Sequence, residues 1–425
     1  MKNRIIIFWA AFLALCIAAA GQTRDFRKDL DENPLRAGGS SAPYEYARQD
    51  YHKAPSGYKP FYISHFGRHG SRYHTTGSLC PSVVRILQTA DSLNILTDRG
   101  KELYSELKEM SEASQGKAGD LTIVGVKEHQ GIAARMMANY PDVFKGKGKH
   151  ISAHATTSPR VILSMASFCE SIQLKYPDID IFMEAGESTG AYLNHYTKEY
   201  KEYYSNGDWR AVRDNWLKNN LNASGTIGNI FTSSVLFDGK SDGQRARRFV
   251  NDLFNLAKIT AASDFKPYFD VFPKEDLYVL WQSGNMDQYL RKGPSPLSDG
   301  KNLEIAKPLL KDFVTRADRI VRNGGNAADL RFGHGEGLIP LSGLMGIEEA
   351  SAECSDPDLI ATLWQDYRIT TMAGNIQWIF YKNKAGDVLV KILLNEREAH
   401  IPVQTNVWPY YKWTDALDYY NNIIK

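Results

Sequence analysis

Cysteine is scarce in this chain of 425 residues. There are four, Cys16, Cys80, Cys169 and Cys354, far apart and with no CxxC or Cys/His metal spacing. A disulfide-stapled scaffold and a zinc finger are thereby excluded, and stability must come from a buried core. An excess of one charge is also lacking, with 51 Lys and Arg against 49 Asp and Glu. Broad binding to nucleic acid needs a basic surface, so that class is not indicated. Internal repeats and low-complexity tracts are missing too. Long apolar runs are absent except at the start. There Lys2 and Arg4 precede the apolar stretch from Ile5 to Ala20, which ends in the small residues Ala18-Ala19-Ala20-Gly21. This is the anatomy of a secretory signal, and it is short for a membrane span. Residues 1–21 are expected to be removed on export, giving a secreted or periplasmic protein with membrane or vesicle association left open. An uncleaved anchor is the alternative, and lipidation at Cys16 is disfavoured by the large Leu15 before it. Removal takes two basic residues and no acid, so the net charge falls from +2 to 0. Any preference for anions then has to come from local clustering.

What remains is ordinary globular material, 43% hydrophobic and 24% charged. Apolar runs predict strands at Pro60–Ser64, Ile151–Ala155, Ile179–Met183 and Leu330–His334, and a hairpin from Ile376–Tyr381 and Val388–Leu394. Helical spacing follows Cys80-Pro81, follows the cap Thr97-Asp98, and covers Val126–Asn139 and Arg160–Tyr176. From about Gly190 to Gly300 strand signals vanish and aromatic, lysine-rich helical patterns take over. The expected fold class is α/β, a mostly parallel sheet flanked by helices, with an inserted helical domain. The expected boundaries are 22–189 with 301–425 for the α/β part and 190–300 for the insertion.

Three segments share one design, an apolar strand, then a loop with arginine or histidine, then a helix start. They are Arg68-His69-Gly70-Ser71-Arg72, Thr156-Thr157-Ser158-Pro159-Arg160 and His334-Gly335-Glu336-Gly337. In an open α/β sheet ligands bind at the carboxyl ends of strands, where helix N-termini offer free amides to anions. A histidine among arginines makes sense if it attacks an anion, because a guanidinium fork matches phosphate oxygens. His69 is then the candidate nucleophile, with one nitrogen aimed at phosphorus and the other held by a backbone carbonyl. Arg68, Arg72 and Arg160 would bind the phosphoryl oxygens, and His334, if protonated, would be a further donor. Glu336 would protonate the leaving oxygen and then activate water. That task needs a protonated carboxyl and predicts an acidic to near-neutral optimum unless burial raises the pKa of Glu336. His65, His74 and His154 are expected to be structural or supporting.

On these residues the chain resembles the histidine acid phosphatase branch of the phosphoglycerate-mutase-like superfamily. Phytases of the common type carry His-Asp in the later motif, whereas multiple inositol polyphosphate phosphatases carry His-Ala-Glu. Phe332-Gly333-His334-Gly335-Glu336-Gly337-Leu338 is similar to the second pattern. The resemblance extends through Gly125–Phe144, Ser158-Pro159-Arg160 and Leu393-Leu394-Asn395-Glu396. It implies His69 as the phosphorylated nucleophile, Arg68, Arg72, Arg160 and His334 as phosphate ligands, and Glu336 as proton donor. Two departures stand out. Gly335 replaces the usual alanine and loosens the backbone beside the acid. Tyr73-His74 stands where Tyr-Pro is common, so the loop after Arg72 is expected to run differently.

The expectation is therefore an enzyme, a phosphomonoesterase acting on inositol hexakisphosphate and lower inositol polyphosphates through a phosphohistidine. No cofactor, metal or nucleic-acid partner is expected, and the oligomeric state is not readable. A non-catalytic polyphosphate-binding protein and an acid phosphatase for other metabolites are the alternatives. Lys198, Lys201, Arg245, Arg247, Arg248, Arg291 and Lys292 in the insertion are candidates for an outer wall, of which two or three would face the substrate.

Overall fold

The computed structural model describes residues 24–238 and 243–425. The expected signal segment lies outside the described residues, as does Cys16. Among the described residues eight strands form one sheet in the order β3-β2-β4-β1-β5-β6-β7, with β8 paired to β6. The strands are β1 (Lys59–Arg68), β2 (His150–Ala155), β3 (Asp180–Ala185), β4 (Ala328–Gly333), β5 (Asn375–Lys382), β6 (Val388–Leu394), β7 (Arg397–Glu398) and β8 (Tyr410–Lys412). The first four are mutually parallel, and β5 to β8 extend the sheet in antiparallel fashion. The expected hairpin is the β5–β6 pair.

Helices cover both faces, as a sheet with parallel strands requires. On one face Ile63, Ala153, Leu330 and Phe332 pack against Ile132, Met136, Val161, Met165 and Phe168 of the helices Ile123–Asn139 and Pro159–Lys175. On the other, Tyr62, Phe66, Trp378 and Phe380 meet Phe313 and Ala317 of the Lys307–Asn323 helix and Trp413 and Tyr420 of the C-terminal helix. Adjacent β1 residues Tyr62 and Ile63 thus feed opposite cores, following the two-residue period of a strand.

The insertion is helical, with Lys198–Asn206, Trp209–Asn220, Ala223–Ile230, Gln244–Ala257 and Lys274–Lys292 as its main elements. Its core does not stop at residue 190. Val83, Leu87, Leu103 and Leu107 of the helices Leu79–Ser92 and Asp98–Ala113 share one apolar cluster with Phe254, Leu277 and Trp281. Packing therefore assigns residues 79–113 to the helical cap, not to the sheet. Cys80, Cys169 and Cys354 are buried free thiols.

β1 is longer than its apolar run. The expected strand ends at Ser64, yet pairing continues to Arg68, which lies opposite Gly333 of β4. The polar residues of this extension are accommodated because both faces are covered. His65 packs between Phe168 and Phe332, with ring centroids 5.1 and 5.4 Å away.

Candidate active site

Strand register gathers the three motifs. Arg68 is opposite Gly333, and Ala155 of β2 is opposite Phe332. One residue further, the carboxyl ends of β1, β2 and β4 therefore release His69, Thr156 and His334 side by side. The His69 and His334 rings are 5.6 Å apart, and His334 Nε2 is 3.1 Å from Thr156 Oγ1. Two helices begin here, Pro159–Lys175 behind Ser158 and Gly335–Leu344 behind His334, and neither cap residue uses its side chain to close the helix. Pro159 has no N–H, and Val161 N and Gly337 N already donate to Ser158 O and His334 O, so these helix starts offer few free amides to an anion.

The loop after His69 is clamped by backbone contacts. A Cβ on Gly70 would lie 2.5 Å from Gly125 O, and one on Gly125 would lie 2.3 Å from Ser71 O. Only glycine at both positions lets the loop rest on the start of the Ile123–Asn139 helix. The Glu128 carboxylate, on that helix, accepts from Ser71 N (2.7 Å), Ser71 Oγ (2.7 Å) and Tyr44 N (2.7 Å). Gly70 N donates to Ser164 Oγ at 3.0 Å, His69 N to Gly333 O at 2.9 Å, and Ala373 N to His69 O at 3.0 Å. Beyond Arg72 the chain pairs with residues 120–121, through an Arg72–Leu121 bridge and Tyr73 N to Asp120 O. His74 Nδ1 accepts from Thr76 N at 3.0 Å and so closes this turn locally.

His69 is 3% exposed. Its Nδ1 lies 2.9 Å from Gly70 O, and a carbonyl only accepts, so the proton sits on Nδ1 and Nε2 carries the free lone pair. Burial first, then the Arg68 and Arg72 charges, hold the imidazole well below its ordinary pKa. It is neutral at pH 7, as a nucleophile must be. The guanidinium groups suffer likewise. Burial, opposed in part by Glu336, pushes Arg68 down to about 10; burial with repulsion from Arg68 and Arg160 pushes Arg72 down to about 9. Arg68 Nη1 donates to Ser40 O and to Thr370 O (2.6 Å), and Arg72 Nη1 to Tyr73 O (2.9 Å). The Nε atoms of Arg68, Arg72 and Arg160 are buried without a hydrogen-bond partner. Three unsatisfied cationic donors in one place are costly unless an anion meets them. Inorganic phosphate is therefore expected to stabilise the fold, by about 2.7 kcal/mol at a hundredfold excess over its Kd. Calorimetry against matched sodium chloride checks this, and Arg160→Ala is expected to lose most of the gain.

The later motif differs from expectation in its charges. Burial pushes His334 down to about 4, with Glu336 opposing and Arg160, Arg68 and Lys292 reinforcing. His334 is thus neutral at pH 7 and not the cationic donor expected. Burial alone would raise Glu336, but its net shift is well below the carboxylate range, with Lys292 and then His334 as the lowering partners. Because His334 is neutral, the ammonium of Lys292 is what holds Glu336 ionised. Its Nζ is 2.9 Å from Glu336 Oε1 and donates to Gln288 Oε1 at 2.8 Å. The acid optimum expected from a protonated Glu336 therefore does not follow from this carboxyl alone.

Gly335 sits in the first turn of its helix without a positive φ. A Cβ there would meet Thr370 Oγ1 at 3.4 Å and Arg68 Nε at 3.5 Å, ordinary contact distances. The backbone beside Glu336 is accordingly helical and not loosened. Gly335→Ala is expected to keep turnover within about threefold of wild type and to stabilise by about 0.5 kcal/mol. Steady-state rates and a denaturant melt test both.

The outer-wall candidates scatter. Lys292 is 5% exposed and lies against Glu336, not on a rim. Arg291 is bound to Asp287 and lies over the Tyr204 and Trp209 rings. Lys198, Lys201, Arg245 and Arg248 are exposed, Arg248 facing Asp252 at 3.9 Å. Arg247 lines a separate hollow with Leu221, Phe231 and Phe237. The spacing of charges also gave no notice of Lys258. It lines a cavity of about 200 Å³ together with Ser40, Arg213, Asp287, Gln288 and Asp366. That cavity shares Ser40 with Arg68 and Gln288 with Lys292. His154 bonds Ser152 Oγ at 2.6 Å, and neither it nor His65 joins the His69 group.

Known proteins share this fold. The Bifidobacterium longum multiple inositol polyphosphate phosphatase, solved in complex with inositol hexasulfate, superposes with a TM-score of 0.73 at 21% identity, over 89% of this chain and 96% of that one. A phytase from D. castellii gives 0.68 at 14% identity, over 93% and 86%. Human multiple inositol polyphosphate phosphatase 1 is 23% identical over 194 residues, a match spanning 41% of this chain and 39% of the human protein. At these identities the likeness to solved structures establishes the fold. Residues 67–395 match the model of the histidine phosphatase superfamily (branch 2), a span from the first histidine motif to the end of β6. The chain belongs to branch 2 of the histidine phosphatase superfamily.

Proposed function

We propose that this protein is an exported phosphomonoesterase that hydrolyses inositol hexakisphosphate and lower inositol polyphosphates through a phosphohistidine at His69. The observation that carries the reading is the neutral imidazole, its Nδ1–H held by Gly70 O, set among three buried guanidinium Nε atoms that lack partners. His69 Nε2 attacks phosphorus while Arg68, Arg72 and Arg160 take up charge on the phosphoryl oxygens. The P–O bond to the ring breaks, and the departing oxygen receives a proton by way of Glu336. Water, giving its proton to Glu336, then attacks the phosphohistidine and releases inorganic phosphate. His334, neutral, offers one N–H to the phosphoryl group.

The polyphosphate substrate is supported by membership of branch 2 and by the fold shared with the Bifidobacterium protein, solved with inositol hexasulfate. Residues 1–21 support export. Their removal would be seen by N-terminal sequencing of protein recovered outside the cytoplasm. Incubation with inositol hexakisphosphate and separation of products by ion-exchange chromatography tests the activity. Stepwise appearance of penta-, tetra- and lower phosphates is expected. An intact substrate beside an enzyme that cleaves simple phosphomonoesters would overturn the substrate assignment.

A further inference from the structure

Glu336 is asked to deliver a proton, yet its contacts keep it ionised. The group keeping it so carries the missing proton. Lys292 ends the Lys274–Lys292 helix, is 5% exposed, and points its ammonium at Glu336 Oε1 (2.9 Å) and Gln288 Oε1 (2.8 Å). On its own helix Arg291 and Asp287 face it, but Asp287 is taken by Arg291 and by Arg213 Nη1 at 2.6 Å. Tyr196 and Tyr200 face Glu336 from the insertion, and burial raises both phenols, so they give up protons poorly. Arg68, Arg72 and Arg160 face it across the site, and His334 stands beside it. No ion pair among the described residues joins these guanidinium groups to Glu336, and neutral His334 has no proton to spare. Lys292 is the group that both touches Glu336 and holds an exchangeable proton, and burial pulls its pKa down.

Resting on the hydrolytic reading above, we propose that Lys292 is the proton reserve of the reaction, working through Glu336. As Nε2–P forms and P–O breaks, Glu336 passes a proton to the departing oxygen and takes one from the Lys292 ammonium. This leaves an alcohol, a neutral amine and a carboxylate. When water forms O–P and breaks P–N, its proton passes to Glu336 and on to the amine, restoring the ammonium. Lys292 never meets the substrate in this scheme and is a positioning residue. The scheme removes the need for a protonated carboxyl in the resting enzyme.

The test compares wild type, Lys292→Met and Lys292→Arg on two substrates, as kcat/KM, which reports the phosphorylation half-reaction. 4-Nitrophenyl phosphate releases a phenolate that departs unaided, and glycerol 2-phosphate releases an alkoxide that does not. At pH 7 Lys292→Met is expected to lose about 100-fold on glycerol 2-phosphate and less than about fivefold on 4-nitrophenyl phosphate. Much of the loss should return near pH 5, where the unpaired Glu336 protonates directly. Lys292→Arg keeps the charge but cannot release a proton. It should keep KM near wild type and still lose the alkyl phosphate, and it answers the question if the methionine variant fails to fold. Equal losses on both substrates, or full rescue by arginine, would overturn the proposal, because a fixed charge would then suffice. Wild-type cleavage of both simple esters with intact inositol hexakisphosphate would sink the substrate assignment alone. A wild type inert toward all three would remove both.

Discussion

His69→Ala is expected to lower turnover by roughly 10⁴-fold or more, the scale seen when a covalent nucleophile is removed. No neighbour can replace it. His334 is the nearest imidazole, at 5.6 Å between rings, but its Nε2 is engaged with Thr156 Oγ1. The buried arginines remain, so the variant should still be stabilised by phosphate. Binding and chemistry are then separated in one protein. Phosphate release and an alkali-stable, acid-labile label on the wild type but not on the variant are the two measurements. A labelled His69→Ala would show that another residue is attacked.

Glu336→Gln is expected to cost about 10²- to 10⁴-fold on alkyl phosphates, because proton transfer to the leaving oxygen and from water both pass through this position. With 4-nitrophenyl phosphate the first half-reaction should survive and the second should stall. A burst of about one nitrophenolate per enzyme, followed by slow turnover, is the expected trace. The glutamine also strips Lys292 of its ionic partner while Gln288 keeps its hydrogen bond. Burying an ammonium with half its support costs up to about 3 kcal/mol, so the variant should melt earlier than wild type. Steady turnover without a burst would remove Glu336 from the second step.

Much of this site was legible before the fold was known, for a physical reason. Strand, loop and helix start each leave a local mark, and Arg68-His69-Gly70, Ser158-Pro159-Arg160 and His334-Gly335-Glu336 each carry that mark within a few residues. The structure brings all three to the carboxyl end of three adjacent strands. Local marks fail where the environment is supplied by distant chain. The last four residues of β1 read as loop because His65, Gly67 and Arg68 interrupt the apolar run, and only Phe168 and Phe332 make a buried place for His65. The antiparallel half of the sheet was readable only as one hairpin, since β7 and β8 have two and three residues. Residues 79–113 were placed with the sheet by chain order, although Leu87 and Leu103 pack with Phe254. Charge at a helix end suggests solvent, so Lys292 read as rim. Its burial against Glu336 depends on two helices 44 residues apart along the chain at the paired positions. Neutral His334 and ionised Glu336 were likewise beyond reach, because protonation is set by neighbours that spacing does not reveal.

Arg68 has a last consequence, in time and not in space. Its Nη1 is fastened by carbonyls from 28 residues before it and 302 residues after it. A ribosome delivers the chain from its amino end, so the nucleophile loop emerges long before Thr370 does. During most of synthesis the chain is therefore not yet a phosphate trap. The site comes into being only when nearly the whole polypeptide has arrived.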